Sequence, residues 1–383
     1  MEDLAEKIIE FTRKLVQTPS QNGIDSEKGV ADLVFAKLSS FGFSPKILID
    51  GKFHPSVFCP IRKNPSGKTV WLETCLDTVP AGDLSRWDYA PFRATVVGKK
   101  MYGRGTADSK VGIAIFSFLA KELYENPEFN GNLILGFNAN EQSGEFTGIK
   151  EIIKQKPKAD ICILGYQGIS EISIGARGFL RLKLTTKGEA AHTGSRRKKG
   201  NNAIHQMTDL IIALRGLNLD DKKEPYFPYG GNFNVSLISG GTMINMVPDS
   251  CEAKIDIRFL PSQTKEKILK KINKTIRRLS KEDPKINCSL EILQSESAFL
   301  TDPKNDFVRL LQKTAEKELK KETPLVTSGQ GSVGNIIGKL GVPIINAFGC
   351  NSDNGHAPNE WINIETILPV FRIYKKAILQ YCQ

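Results

Sequence analysis

Near Gly175 the hydrophobic pattern of the chain changes period, and that change constrains the fold more than any other feature. Upstream, short apolar runs recur as VWL from Val70, NLILGF from Asn132 and DICILGY from Asp160. Between the first two lies Val111 to Leu123, apolar nearly all round, as in a helix buried against a sheet. Strand alternating with helix predicts an α/β layer architecture. From Phe179 to Thr186 (FLRLKLTT) apolar and polar residues alternate instead, the period of a half-exposed antiparallel strand. NFNVSLISG and CEAKIDIRFLP share that texture, with helical segments at about 200–216 and 264–281 among them. The chain then returns to helix over Phe307 to Lys320 and to a strand at VPIINAFG. The α/β domain is therefore expected to be discontinuous, with a second domain inserted, and 383 residues suit two hydrophobic cores better than one. At the start, Leu4, Ile8, Ile9 and Leu15 share one helical face, and Val30, Leu33, Val34 and Leu38 share another before Gly42.

The net charge of +11 raises the question of a nucleic-acid or anionic partner. Basic residues cluster in RRKK (Arg196 to Lys199) and in KEKILKKINKTIRRLSK (Lys265 to Lys281). The second cluster carries Ile268, Leu269, Ile272, Ile276 and Leu279 at the spacing of one buried stripe, so its lysines read as the solvated face of a helix. With no zinc-finger spacing and no RNA-binding aromatic motif beside them, nucleic acid is not the expected partner. RRKK reads as a solvated loop, with an acidic substrate as its other reading. No apolar run is long enough to span a bilayer, and the acidic start MEDLAEKIIEF does not resemble a secretory signal. The 7 cysteines are odd in number and scattered, which argues against a disulfide framework and for a reducing cytoplasm.

ETCLDTVPAGDLSRW, Glu73 to Trp87, holds the first candidate chemistry. Cys75 and Asp77 stand two apart after a strand-like approach, so both can face one side. A metal site, the remains of one and an ordinary strand end all fit that pattern. A lone Cys is more often a small buried hydrophobe, and an Asp before a turn more often bonds nearby backbone.

In order along the chain, LDTVPAGDLSRWDYAPF, MYGRGTADSKVG, NANEQSG, ICILGYQG, KGEAAHTGS, GGTMINMVPDSCEAKIDIR and GHAPNEWINIETI resemble segments of one family. It is the family of co-catalytic zinc amidohydrolases that includes acetylornithine deacetylase, succinyl-diaminopimelate desuccinylase, aminoacylase and carboxypeptidase G. The resemblance covers nearly the whole chain. It implies a catalytic α/β domain with a central mixed sheet flanked by helices over residues 1–176 and 290–383. Residues 177–289 would form an inserted ferredoxin-like α+β lid through which two copies pair. It also implies two zinc ions sharing a bridging aspartate and water, with one histidine and one carboxylate further on each.

Carried over residue by residue, the resemblance makes Asp108 the bridging aspartate, Asp77 the carboxylate that orients the first histidine, Glu141 the general base and His356 the last metal histidine. His192 matches the lid histidine that holds the oxyanion, while Asn245 and Arg258 match residues that contact the substrate carboxylate. Arg258 reads equally as a salt-bridge anchor of the lid sheet.

The remaining three metal positions differ from the family pattern. Cys75 replaces a histidine, Gln142 the second glutamate of a Glu-Glu pair, and Tyr166 the glutamate of a Gly-Glu-Pro segment. Thiolate is a good zinc ligand, glutamine a weak neutral one, and tyrosine ionises unaided only near a pKa of about 10. With less negative charge to offset them, a divalent pair is expected to bind weakly, as one ion on Cys75, Asp108 and His356, or not at all.

Two functions follow from this reading. One is hydrolysis of an N-acyl amino acid or small peptide, with Glu141 activating a metal-bound water. The other is a non-catalytic homologue that binds a small carboxylated ligand, or that has a structural or regulatory role. The balance leans to hydrolase chemistry because the substrate apparatus remains.

Overall fold

The computed structural model describes residues 2–51, 53–219 and 224–383. The chain begins α1 (Glu2–Val16), α2 (Lys28–Ser40), β1 (Lys46–Ile49), β2 (Pro55–Arg62) and β3 (Thr69–Cys75). It continues through β4 (Thr95–Val97), β5 (Lys100–Tyr102), α3 (Val111–Glu125), β6 (Asn132–Asn138), α4 (Thr147–Lys154), β7 (Ile161–Leu164) and β8 (Ile172–Ala176). β9 (Gly178–Lys187), α5 (Ala203–Arg215), β10 (Asn232–Gly240), β11 (Ser250–Phe259), α6 (Lys265–Glu282) and β12 (Cys288–Glu296) follow. After β13 (Phe299–Leu300) come α7 (Asp306–Leu319), β14 (Leu325–Ser328), α8 (Gly334–Ile337), β15 (Ile344–Ile345), β16 (Ser352–Asp353), β17 (Trp361–Asn363) and α9 (Ile367–Tyr381).

These elements fall into two compact units. The first holds Met1–Gly175, Leu300–Ser328 and Ser332–Gln383, and the second holds Ala176–Phe299 with Gly329–Gly331. In the first unit a six-stranded sheet runs in the order β1-β2-β6-β3-β7-β15. β3 lies between β6 and β7 and is parallel to both, while β2 is antiparallel to β6. The sheet is thus mixed. Every residue of β6 and β7 is buried, which explains their unbroken apolar sequences.

α3 is buried along most of its length, from Val111 through Ala120 and again at Leu123. It approaches the sheet so closely that a Cβ on Gly112 would lie 2.3 Å from the Gly165 carbonyl oxygen. Glycine is required there, and the contact fixes the end of β7 against the start of α3. The expected strand at VPIINAFG is mostly absent. Of this run only Ile344 and Ile345 join the sheet, pairing with Cys162 and Ile163. Ala347 makes an isolated antiparallel bridge to Ser173 instead, and the Asn346 N–H donates to the Ser173 carbonyl at 2.7 Å.

The second unit is a four-stranded antiparallel sheet, β10-β11-β9-β12, built in the chain order β9-α5-β10-β11-α6-β12. Alternate residues of β9 and β11, among them Leu180, Leu182, Leu184, Ala253 and Ile255, are buried with Met207 and Leu210 of α5 and Ile268 and Ile272 of α6. Each such leucine contributes roughly 1.5–3 kcal/mol by leaving water. Lys267, Lys270 and Lys274 of α6 are exposed, so this basic cluster is the polar face of an amphipathic helix. The unit runs past residue 289 to Phe299 because β12 pairs along β9 from Cys288 to Glu296. Among the described residues no helix is long and apolar enough to cross a membrane.

Candidate active site

Three neighbouring parallel strands end at one place. Cys75 is the last residue of β3, Glu141 and Gln142 follow β6, and Tyr166 follows β7. The carboxyl ends of parallel strands are where α/β sheets bind ligands, because the chain turns away there and leaves a crevice. Asp108 enters from the turn before α3, and His356 from the loop between β16 and β17. That loop holds Asn354, His356 and Asn359 at φ 58°, 65° and 59°, left-handed conformations that non-glycine residues seldom adopt.

Asp77 is fully buried and works as a backbone clamp. Its carboxylate accepts from the Glu141 N–H at 3.0 Å, the Gln142 N–H at 2.8 Å and the Asn22 amide at 3.1 Å. Burial pushes its pKa up to about 6, against the pull of those hydrogen bonds. The clamp ties the end of β3 to the turn that carries Glu141. One Glu141 oxygen accepts from the Tyr166 hydroxyl, and the other accepts from Asn138 at 3.4 Å. Burial raises the Glu141 pKa to about 8, and the nearby charges of Asp108 and Asp77 act in the same direction.

Cys75 Sγ lies 3.4 Å from Ser109 Oγ and accepts from the Gln142 amide at 3.8 Å. Burial, then the charges of Glu141, Asp108 and Asp77, push its thiol well above the usual value, which favours the neutral form. Burial likewise raises the Tyr166 phenol. Asp108 Oδ2 meets His356 Nε2 at 2.7 Å and the Gln142 amide at 3.4 Å. The hydrogen bond to Asp108 raises the His356 pKa, which favours the charged form of the ring.

A carboxylate that the sequence reading did not single out holds this arrangement in place. Glu360, fully buried, accepts from the Gly105, Ala107 and Asp108 N–H groups at 3.1, 2.8 and 3.1 Å and pairs with Arg104 at 2.6 Å. Lys110, also fully buried, donates to the Leu15 and Thr18 carbonyls at 2.9 and 2.8 Å and so anchors the other side of the Asp108 turn. Burial lowers its pKa to about 7. Glu360 lies in the GHAPNEWINIETI segment, directly before β17.

In the second unit, His192 and Asn245 come together. His192 bridges to Met246, and the Thr193 N–H donates to the Asn245 carbonyl at 3.1 Å. His192 is exposed, and its Nδ1 accepts from the Gly194 N–H at 3.0 Å. Arg258 stands elsewhere, eight residues along β11 from Ser250, a span of ~26 Å for an extended strand. It donates to both oxygens of Asp256, at 2.6 and 3.1 Å, and its guanidinium lies over the Phe179 ring. Of its two sequence readings, these contacts match the salt-bridge anchor. RRKK is exposed, and Lys198 pairs with Glu189 at 2.9 Å.

Against this geometry, residues 75–380 match the model of peptidase family M20/M25/M40. The chain belongs to that family. An uncharacterised metallohydrolase of Methanocaldococcus jannaschii is 28% identical over 409 residues, covering 97% of this chain and 98% of its own. The succinyl-diaminopimelate desuccinylase of Pelagibacter ubique is 27% identical over 386 residues, with the same coverage. An M20 family metallo-carboxypeptidase of Sulfolobus solfataricus superposes with a TM-score of 0.82 at 21% identity, covering 100% of this chain and 99% of that one.

The family implies a divalent metal, and the residues at this site do not fit a pair of such ions. Position 142 offers an amide N–H, and positions 75 and 166 offer a thiol and a phenol that burial keeps protonated. Among the described residues no group of three or more His, Cys, Asp or Glu side chains is disposed to hold a metal ion, the expected Cys75, Asp108 and His356 included.

Proposed function

We propose that this M20-family chain recognises a small carboxylated amide, an N-acyl amino acid or short peptide, and holds it without two-cation hydrolysis. One observation carries the reading. The groups that would activate water and polarise an amide are bonded to one another, Glu141 to Tyr166 and Asp108 to His356 and Gln142. The ligand class is supported by the relatives, which include a desuccinylase and a carboxypeptidase. On that class Asn245 and Arg258 would meet the carboxylate, and His192 the amide oxygen. Arg258 must exchange its Asp256 partner, or share it, to do so.

His192 and Asn245 lie beyond the Gly188–Asp249 end of the second sheet, while Arg258 pairs with Phe179 toward its other end, so one small ligand would not reach all three within a single copy. A pair of copies would meet this requirement. β10 is an edge strand with Leu237 and Ile238 exposed, and Met243 and Ile244 beyond it are exposed as well, an apolar edge suited to pairing. The cysteines are unpaired, which fits a reducing compartment such as the cytoplasm.

The second reading is hydrolysis assisted by one weakly held divalent ion. Asp108 and His356 favour it, because displacement of the proton between them frees an oxygen and a nitrogen donor within reach of one ion. A panel of N-acyl amino acids and dipeptides separates the readings by calorimetry and product assay, run in chelator and again with zinc, cobalt or manganese. Binding in chelator with no product supports the first. Product formed only with an added cation supports the second. Neither binding nor product across the panel would defeat both.

A further inference from the structure

We propose that the donor hydrogens of Gln142 and Tyr166, together with the ring of His356, do the work of two divalent cations, so that this site is structurally complete without metal. The inference is independent of which ligand the site takes.

It rests on an accounting of lone pairs. A site shaped for cations and then deprived of ligands would leave carboxylate oxygens facing one another. Here each retained acid has donors aimed at it. Asp108 receives His356 at 2.7 Å and Gln142 at 3.4 Å. Glu141 receives Tyr166 at one oxygen and Asn138, at 3.4 Å, at the other. Asp77 receives two backbone N–H groups and the Asn22 amide. None of the side-chain atoms of Asp77, Asp108, Glu141, Gln142 or Tyr166 is among the buried polar atoms left without a partner, although the side-chain oxygen of their neighbour Asn138 is. Because an unpaired buried acceptor costs more than a made hydrogen bond returns, this degree of satisfaction marks a built network.

Two of the three departures from the family pattern also act in one direction. Gln142 presents an N–H where a carboxylate is expected, and that N–H reaches both Asp108 and the Cys75 sulfur, at 3.4 and 3.8 Å. Tyr166 presents an O–H where another carboxylate is expected, and it reaches Glu141. Two acceptors have become donors, each pointed at an acid that stayed. A carboxylate restored at either position would face a retained carboxylate, and the pair would need a cation or a shared proton between them.

The test compares thermal unfolding midpoints and bound-metal content of the full chain purified without added metal. For the wild-type protein we expect less than one divalent cation per chain and the same midpoint in chelator and in zinc. For Gln142→Glu/Tyr166→Glu we expect a midpoint lower by roughly 5 °C or more in chelator, recovered when zinc is added. Tyr166→Phe keeps the ring and removes the donor. Its midpoint is expected to fall without becoming zinc-responsive. A wild-type chain that retains two cations and loses stability in chelator would overturn the proposal, as would a double variant as stable as wild type in chelator. If the double variant does not fold, the wild-type response decides by itself.

Discussion

Glu360 receives three successive-turn N–H groups and one guanidinium on a single buried carboxylate, and in doing so sets the backbone on which Asp108 stands. Neutralising it strands Arg104, whose side chain is only 2% exposed. Breaking one partner of a buried pair costs about 3–5 kcal/mol, mostly because the other charge stays behind. Glu360→Gln should therefore lower the unfolding free energy in urea by about that much. The double change Arg104→Met/Glu360→Gln should lose less than Glu360→Gln alone, because it removes the stranded charge. A double variant that loses the sum of the two single losses would mean that the two residues act independently. At this scale the sequence was partly legible. The motif matches located Asp77, Asp108, Glu141 and His356, and the structure places all four with Cys75, Gln142 and Tyr166 around the carboxyl ends of β3, β6 and β7. Glu360 and Arg104 stayed hidden because they are 256 positions apart, and a charged residue carries no sign in the sequence of whether it will be buried.

Between elements, the start of α2 is tied to the β1–β2 hairpin by one titratable contact, His54 Nδ1 to Glu27 Oε2 at 3.0 Å. Burial lowers the His54 pKa, but the hydrogen bond and charge of Glu27, aided by Asp50 and Asp77, outweigh it, and the net shift is upward. A histidine whose folded pKa is raised binds its proton more tightly when folded. Its stabilisation is then fully present below the unfolded value of 6.5 and is lost as pH rises through the folded value. Stability should fall over that window in the wild-type protein, and His54→Gln should flatten the fall. An unchanged pH profile in the variant would show that His54 is not the linked group. The elements themselves were legible where a stripe or an alternation ran long enough, as in α1, α3, β9 and α6. The β1–β2 hairpin was not, and VPIINAFG was over-read, because an apolar run in a short strand carries no period that distinguishes it from a buried turn.

For the whole molecule, the change of period near Gly175 falls at the start of the second unit, which runs from Ala176 to Phe299. The far boundary was harder to read. β12 alternates only weakly, and its membership in the second sheet comes from pairing with β9 at a distance of about a hundred positions, which no local pattern encodes. That sheet also carries the argument for a functional dimer. If His192 and Asn245 of one copy complete the site to which Arg258 of another copy belongs, damage to either residue in every copy should abolish ligand binding. Damage divided between copies should not. In an equimolar mixture of His192→Ala and Arg258→Ala proteins, dissociated and reassociated, half the dimers are mixed and each has one intact composite site. Binding should therefore return to about a quarter of the wild-type site number, measured calorimetrically with the best ligand of the panel. Failure to recover any binding, with dimers demonstrated by sedimentation, would mean that the two residues serve separate sites. Sedimentation as a monomer at working concentration would defeat the composite site and leave β10 an exposed edge.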